Sequence, residues 1–324
     1  MTPGVGKTRN RLLLGSVALS GGVAIVLVTH QDQAHAVWHS LTGVPVAALG
    51  LVLVLVLCQL SCQALRLWAI LPRHGRLTVG QTAYAFTLGE WLNIFAPARA
   101  GDALKVVLMS RTPGAAAPSL PKATGAVLAD KIVDGGSLVL LCVATGLVSV
   151  IRAGAEARLG GARTAVAAGA GVALLLVGTW WARPHWLERL VVLRREFVEG
   201  LAALKDPVRL LTSVSFSLGA WLAELLALRA FCTSLGFPRS GPQLVLALAA
   251  LNLGISVPIS VANLGVYEAV LAVGLTRSGI PLAPAVAIAT LHHALQLLGT
   301  NLGAAGLSLW VAGRRVPDAV PGEG

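Results

Sequence analysis

Residues 44–71 read VPVAALGLVLVLVLCQLSCQALRLWAIL, an apolar run whose single charged residue is Arg66. About 20 consecutive apolar residues are enough for a helix to cross the hydrocarbon core of a bilayer, so this stretch predicts a transmembrane helix. Similar runs recur along the whole chain. Of its 324 residues, 56% are hydrophobic and 12% are charged, whereas soluble domains have about 25% charged residues. The sequence therefore predicts an integral membrane protein.

The apolar runs predict an all-α fold, a polytopic transmembrane helix bundle with about six full spans and two interrupted regions. The spans cover residues 12–28, 44–71, 124–151, 164–181, 210–235 and 283–312. Residues 79–109 and 244–276 contain Pro, Gly and polar residues midway, which predicts broken or re-entrant helix hairpins. An Ala34-His35-Ala36 sequence after the first run resembles a signal-cleavage site. The run is long for a signal sequence, so an uncleaved helix is favoured.

We expect residues 1–324 to form one membrane domain with both termini in the cytoplasm. If each interrupted region enters and leaves on one side, 16 of the 25 Lys and Arg residues, Arg66 among them, fall on the side of the N-terminus. Five fall on the other side and four are embedded. This asymmetry favours a multi-pass protein of the plasma (inner) membrane. The two interruptions would then enter from opposite sides, as in an inverted repeat with halves at about 44–151 and 205–312.

The formal net charge of +11 does not indicate a nucleic-acid partner, because the basic residues flank apolar spans. Residues 183–209 combine apolar residues at helical spacing with charged ones, which predicts an amphipathic helix on the cytoplasmic membrane surface. A plain connector is the alternative. The four cysteines lie within apolar runs without further ligands nearby, so we expect neither a metal nor a cofactor.

The first interrupted region carries the residues best suited to binding a ligand. Its polar and helix-breaking residues are, in order, Glu90, Asn93, Pro97, Arg99, Gly101, Asp102 and Lys105. Pro97 ends one helix and Gly101 permits a sharp turn, so Asp102 is placed to cap a second helix. Arg99 and Lys105 are then candidates to hold a phosphate group. An Arg99–Asp102 pair that only fixes the turn is the alternative.

The fourth run adds Asp130, Lys131 and Asp134. Asp130 and Asp134 are four residues apart and lie on one helical face. We interpret them as partners for Arg99 and Lys105, with a proton site as the alternative. Three other titratable residues inside apolar runs are secondary candidates: Glu224, His292 and His293.

The second interrupted region resembles the first in its residue types. Pro258, Asn263, Gly265 and Glu268 again supply a helix breaker, an amide, a glycine and a carboxylate. The two copies are similar and not identical, because Glu268 follows its glycine by three residues whereas Asp102 follows Gly101 directly. Tyr267 is placed at the rim or against a headgroup. No catalytic residue is predicted in either interruption.

Two stretches resemble a known family, the flippase-like membrane proteins that share the transmembrane domain of lysylphosphatidylglycerol synthases. Residues 93–105, NIFAPARAGDALK, and 129–134, ADKIVD, are similar to the patterns N-x-x-x-P-x-R-x-G-[ED]-x-x-R and E-R-x-x-D. Residues 257–268, VPISVANLGVYE, are similar to P-x-x-P-G-G-x-G-x-x-E. The resemblance covers roughly residues 10–312. Lys105 and Lys131 replace Arg, and residues 261–263 replace a Pro-Gly-Gly turn.

The resemblance implies movement of an anionic or polyprenyl-linked lipid between leaflets through a cavity lined by the two broken helices. The substrate would be a membrane lipid, and a homo-oligomer is left open. Two other classes of function are compatible with the residues: an intramembrane transferase acting on a lipid-linked substrate, and a scaffold for other membrane proteins. Nothing resembles the soluble aminoacyl-transferring domain of the synthases, so no lipid synthesis is expected.

Overall fold

The computed structural model describes residues 31–71, 77–96, 100–112, 117–153, 191–256 and 260–313. These ranges hold helices and connections and no strand, which confirms the all-α fold. The α-helices in them are α1 (Gln31–Thr42), α2 (Val46–Ile70), α3 (Val79–Phe95), α4 (Ala100–Ser110), α5 (Leu120–Ala153), α6 (Val191–Gly200), α7 (Pro207–Ser234), α8 (Gly241–Ile255), α9 (Val266–Arg277) and α10 (Leu282–Gly313).

Three of the described helices, α2, α7 and α10, are long and apolar enough to cross a membrane. Their outer faces expose large apolar side chains such as Leu51, Val54, Leu222 and Leu226, as a lipid-facing surface requires. Helix α5 contains the predicted span 124–151 and carries four charged residues in its first half. The runs 12–28 and 164–181 lie outside the described residues, so the total of six spans stays a prediction.

Both interrupted regions are pairs of helices. Helix α3 starts with a capping box. The Gln81 backbone N–H donates to the Thr78 hydroxyl, and the Thr78 backbone N–H donates to the side-chain oxygen of Gln81. It ends at Phe95, and α4 begins at Ala100. In the second region α8 ends at Ile255 and α9 begins at Val266, directly after Gly265 with a φ of +81°. The chain is therefore broken at both predicted places.

Helices α3 and α4 cross closely because glycines meet at the crossing. A Cβ atom on Gly101 would lie 1.9 Å from the Gly89 carbonyl oxygen, and one on Gly89 would lie 2.3 Å from Lys105 Cγ. The prediction that Gly101 forms a sharp turn is wrong, because it lies inside α4 and lacks a positive φ. Its missing side chain serves close packing instead.

The core consists of two apolar clusters on either side of the paired helices α2 and α7, which pack along each other. One cluster joins α2, α7, α8, α9 and α10, and contains residues such as Phe231, Leu248 and Leu271. The other joins the four helices α2, α3, α4 and α5, and contains Leu67 and Phe86.

The stretch predicted as one amphipathic helix, 183–209, is divided. Residues 183–190 lie outside the described ranges, and α6 is followed by a 3-10 turn at Leu201–Lys205. The Asp206 side chain then caps α7 by accepting hydrogen bonds from the backbone N–H groups of Val208 and Arg209. Helix α6 packs against the start of α5, where Gly200 and Gly125 touch and Lys122 lies 3.3 Å from Glu199. Helix α6 therefore packs on the N-terminal end of α5.

Candidate functional site

A cavity of about 530 Å³ lies among α2, α3, α5, α7, α8, α9 and α10. Binding pockets for small molecules are about 300–1,000 Å³, so a lipid headgroup fits. The charged side chains on its wall are Arg66, Glu90, Lys131, Asp134 and Glu224. The amides and hydroxyls on its wall include Gln59, Gln63, Asn93, Asn252, Asn263, Gln296 and Thr300. The residues come from helices of both interrupted regions and from the spans between them.

Arg66 is the centre of the charged wall. It is 1% exposed, and its guanidinium holds Asp130 in a bidentate pair, with Nε 2.7 Å from Oδ1 and Nη2 3.2 Å from Oδ2. Its Nη1 contacts the Asp134 carboxylate and donates to the Ser217 hydroxyl at 3.1 Å. The assignment of Arg66 to the cytoplasmic surface is therefore wrong. Its charge is balanced inside the bundle by two carboxylates.

The first break is held by a network of two lysines and two carboxylates. Lys105 is 1% exposed, and its ammonium contacts Glu90 and lies 2.9 Å from Asp102 Oδ1. Lys131 lies 3.5 Å from Asp102 and 3.9 Å from Glu90. The amide oxygen of Asn93 accepts from the Gly101 backbone N–H at 2.8 Å, which satisfies one of the free donors at the start of α4.

These contacts change the predicted pairing of the carboxylates. Asp130 and Asp134 bind Arg66, whereas the expected partner Lys105 binds Glu90 and Asp102. The second expected partner, Arg99, lies outside the described residues. Lys105 is enclosed by its carboxylates and by the Phe86 ring, 4.4 Å below its ammonium. Lys131, with a side chain 31% exposed, is the lysine that reaches the cavity.

The second break is held by a histidine–glutamate pair. Glu268 Oε1 lies 2.7 Å from His293 Nδ1, and Oε2 accepts from the Gly265 backbone N–H at 2.7 Å. Tyr267 stacks on the His293 ring with centroids 4.1 Å apart, and its hydroxyl lies 2.7 Å from His292 Nδ1. His293 lines the cavity, while His292 is fully buried.

The backbone of this break has an unusual conformation. Ala262 and Asn263 both have a φ of +55°, in the left-handed region that favours glycine. They stand where the pattern P-x-x-P-G-G-x-G-x-x-E has its two consecutive glycines. The departure from that pattern therefore falls on residues whose conformation suits glycine best.

A hydrogen-bonded chain of two amides and one carboxylate lies on the cavity wall. Gln59 donates to Glu224 Oε2 at 3.1 Å, and Gln296 donates to Gln59 Oε1 at 2.9 Å. Glu224 is 7% exposed. This chain connects α2, α7 and α10.

Most of the predicted site residues are brought together. The cavity wall includes Asn93, Lys131, Asp134, Asn263 and Tyr267. Directly behind the wall, each bonded to a wall residue, lie Asp102, Lys105, Asp130 and Glu268. The sequence interpretation missed Arg66, although two carboxylates four residues apart in an apolar helix indicate an unidentified cation. It also gave little weight to Glu224 and to the amides Gln59 and Gln296.

Comparison with known proteins gives a match to a family model. A family model described as "Lysylphosphatidylglycerol synthase TM region" matches residues 13–303, which include both broken helix pairs and every residue of the cavity wall. A search of curated proteins and a search of solved structures found no match.

Proposed function

Because the chain belongs to the lysylphosphatidylglycerol synthase transmembrane-region family, we propose that it moves an anionic or polyprenyl-linked lipid between the leaflets of the plasma membrane. The observation that carries this proposal is the cavity of about 530 Å³, with charged walls, among membrane-spanning helices. Charged residues inside a membrane cost at least a few kcal/mol each and usually mark a path for a polar substrate. The headgroup occupies the cavity while the acyl or prenyl tails stay in the bilayer.

Lys131 is the residue we assign to the phosphate of the headgroup. The other described cations of the site, Arg66 and Lys105, are already paired with carboxylates. Their side chains are 2% and 1% exposed. Lys131 is held more loosely, at 3.5 Å and 3.9 Å from its carboxylates, and it faces the cavity. The role predicted for Arg99 stays a prediction from the sequence.

We also propose that the protein is an inverted repeat, with α2 to α5 in one half and α7 to α10 in the other. The packing supports this proposal because contacts occur in corresponding pairs. In the first half, α2 and α3 both pack on α10, the last helix of the second half. In the second half, α7 and α8 both pack on α5, the last helix of the first half. The two broken pairs would then open towards opposite sides of the membrane, which is the geometry that alternating access requires.

The site residues support the same correspondence. Lys131 is the twelfth residue of α5 and His293 is the twelfth of α10. Each contacts the carboxylate at the third residue of a half-helix, Asp102 in α4 and Glu268 in α9. A lipid headgroup would meet one such pair near each side of the membrane.

Translocation by the purified protein in liposomes tests this function. A fluorescent anionic lipid should change leaflets faster than in empty liposomes, and Lys131→Ala should slow this movement at least about tenfold, as expected for losing one charge-assisted contact of about 1.5–3 kcal/mol. Lys122→Ala is the matched control, because Lys122 lies on the same helix, pairs with Glu199 and is outside the cavity wall.

Three results would count against the proposal. Wild-type protein that moves lipids no faster than empty liposomes removes the transport function. A new product formed from a lipid-linked donor would indicate the transferase. Normal translocation by Lys131→Ala would show that Lys131 does not bind the headgroup.

A further inference from the structure

Glu224 differs from the other carboxylates of the site in having no cationic partner. It lies in α7, at the centre of the bundle, and lines the cavity. Its carboxylate accepts a hydrogen bond from Gln59, and within the described residues no Lys, Arg or His lies at ion-pair distance from it. The other five carboxylates of the site each contact a lysine, arginine or histidine: Glu90, Asp102, Asp130, Asp134 and Glu268.

The titratable groups around Glu224 do not compensate its charge. On α2, Arg66 is turned to the carboxylates of α5, where Asp130 and Asp134 hold it. Helix α8 has no titratable residue. The other described titratable groups on the cavity wall or in contact with it are Glu90 on α3, Lys131 and Cys142 on α5, Tyr267 on α9, and His292 and His293 on α10.

None of these remaining groups supplies a cation to Glu224. Lys131 is paired with Asp102 and Glu90, and His293 is paired with Glu268. Asp134 adds a negative charge to the surroundings of Glu224. A buried carboxyl group in such surroundings is more stable with its proton than without it.

Protonation of Glu224 decides the charge of the cavity wall. Among the described residues that line the cavity, Arg66 and Lys131 are cationic, and Glu90 and Asp134 are anionic. Ionised Glu224 adds a further negative charge to this wall, which repels an anionic headgroup, whereas protonated Glu224 adds none. Binding of the proton and binding of the headgroup therefore favour each other, and this coupling is reciprocal.

We propose that Glu224 is the proton-binding site that couples lipid movement to a proton gradient, the proton and the anionic lipid crossing in the same direction. The inference rests on the proposed function. On the acidic side a water-borne proton forms an O–H bond with the Glu224 carboxylate, and the headgroup enters. On the other side the headgroup leaves, the O–H bond breaks, and the proton returns to water. One proton crosses per lipid and no other bond changes.

Transport in liposomes with and without a pH gradient tests the coupling. Wild-type protein should move a fluorescent anionic lipid several-fold faster when the starting side is the acidic one, and protons should cross with the lipid, as measured by an entrapped pH dye. Glu224→Gln keeps the length of the side chain and its ability to accept a hydrogen bond, but its amide does not bind or release a proton near neutral pH, so its rate should not respond to the gradient. Glu196→Gln is the matched control, because Glu196 lies on α6 and bonds Ser119 away from the cavity.

Infrared spectroscopy tests the proton site without transport. At neutral pH the wild-type protein and Glu196→Gln should show a protonated-carboxyl C=O band that Glu224→Gln lacks. Wild-type lipid movement that ignores the gradient, or a gradient response that survives in Glu224→Gln, would overturn the coupling while leaving the transport function in place. Absence of lipid movement in wild-type protein would overturn both, and a missing band would overturn the protonated state of Glu224.

Discussion

The two broken helix pairs use the same positions for different chemistry. In the first break Lys131 contacts Asp102, and in the second His293 contacts Glu268. A lysine ammonium is a compact charge with three donors that can contact more than one carboxylate, whereas an imidazole is a planar ring that presents one nitrogen to its partner. The first break is therefore held by a network of two lysines and two carboxylates. The second is held by one histidine–carboxylate contact beside a stacked tyrosine ring.

The central helices repeat this contrast. Arg66 of α2 donates to Ser217 of α7, and Gln59 of α2 donates to Glu224 of α7, both at 3.1 Å. In each helix the two residues are seven apart, so the proposed repeat would relate Arg66 to Glu224. Arg66 is fixed by two carboxylates, and Glu224 has no cation opposite within the described residues. The comparison indicates that ion pairs fix one half, whereas the other half carries Glu224, the carboxylate that we propose to bind and release a proton.

The largest effect that tests this comparison is expected at Arg66. Arg66→Met leaves Asp130 and Asp134 buried without a cation, and removing one partner of a buried pair costs about 3–5 kcal/mol. Glu224→Gln removes no ion pair and retains the contact with Gln59, so it should cost less than about 1.5 kcal/mol. Thermal unfolding in detergent measures both. Equal destabilisation by the two substitutions would contradict the contrast between the half fixed by ion pairs and the half that carries Glu224.

A smaller effect is expected from glycines at the two breaks. Gly101→Ala would place its methyl group 1.9 Å from a backbone oxygen, and overpacking of this kind costs about 1–3 kcal/mol. In the second break, Gly254→Ala meets the Val270 side chain at 2.8 Å, which is able to move, so its cost should be lower. Gly136→Ala meets nothing within 4 Å and is the control. Unfolding temperatures that fall equally for Gly101→Ala and Gly136→Ala would show that the α3–α4 crossing is not tight.

The smallest effect is expected when the first break is given the chemistry of the second. Lys131→His places a group opposite Asp102 that is charged below about pH 6.5 and neutral above it. The ion pair is then present at lower pH and lost as the pH rises, so the unfolding temperature should fall with rising pH, by an amount corresponding to about 1 kcal/mol or less. Wild-type protein is the reference across the same pH range. An unchanged pH profile would mean that Lys131 contributes no ion pair to this break.

The sequence predicts the helical class and the position of both breaks because apolar length and Pro or Gly residues determine them locally. It also identifies Asp102, Lys105 and Asp134 as polar residues that need partners. It does not identify which partners they meet. Arg66 lies near the end of α2, where a long basic side chain is expected to reach the membrane surface. That it turns inward depends on where α5 packs, which is a property of the whole bundle.

The role of Gly101 shows the same limit. A glycine after a proline in the sequence suggests a turn, whereas its function in the structure is contact with the Gly89 backbone. Such a contact joins two helices whose approach is decided by tertiary packing. Local conformation can be predicted from residue type, but close approach of two backbones cannot.

Blocking the cavity tests the central claim that a lipid headgroup passes through it. Gly135 lines the cavity and its neighbour Gly136 does not, and neither has an atom within 4 Å of an added Cβ. Gly135→Trp should therefore fill the cavity and reduce lipid translocation in liposomes to the rate of empty liposomes, whereas Gly136→Trp should translocate like wild type. Translocation at the wild-type rate by a correctly folded Gly135→Trp protein would contradict the account.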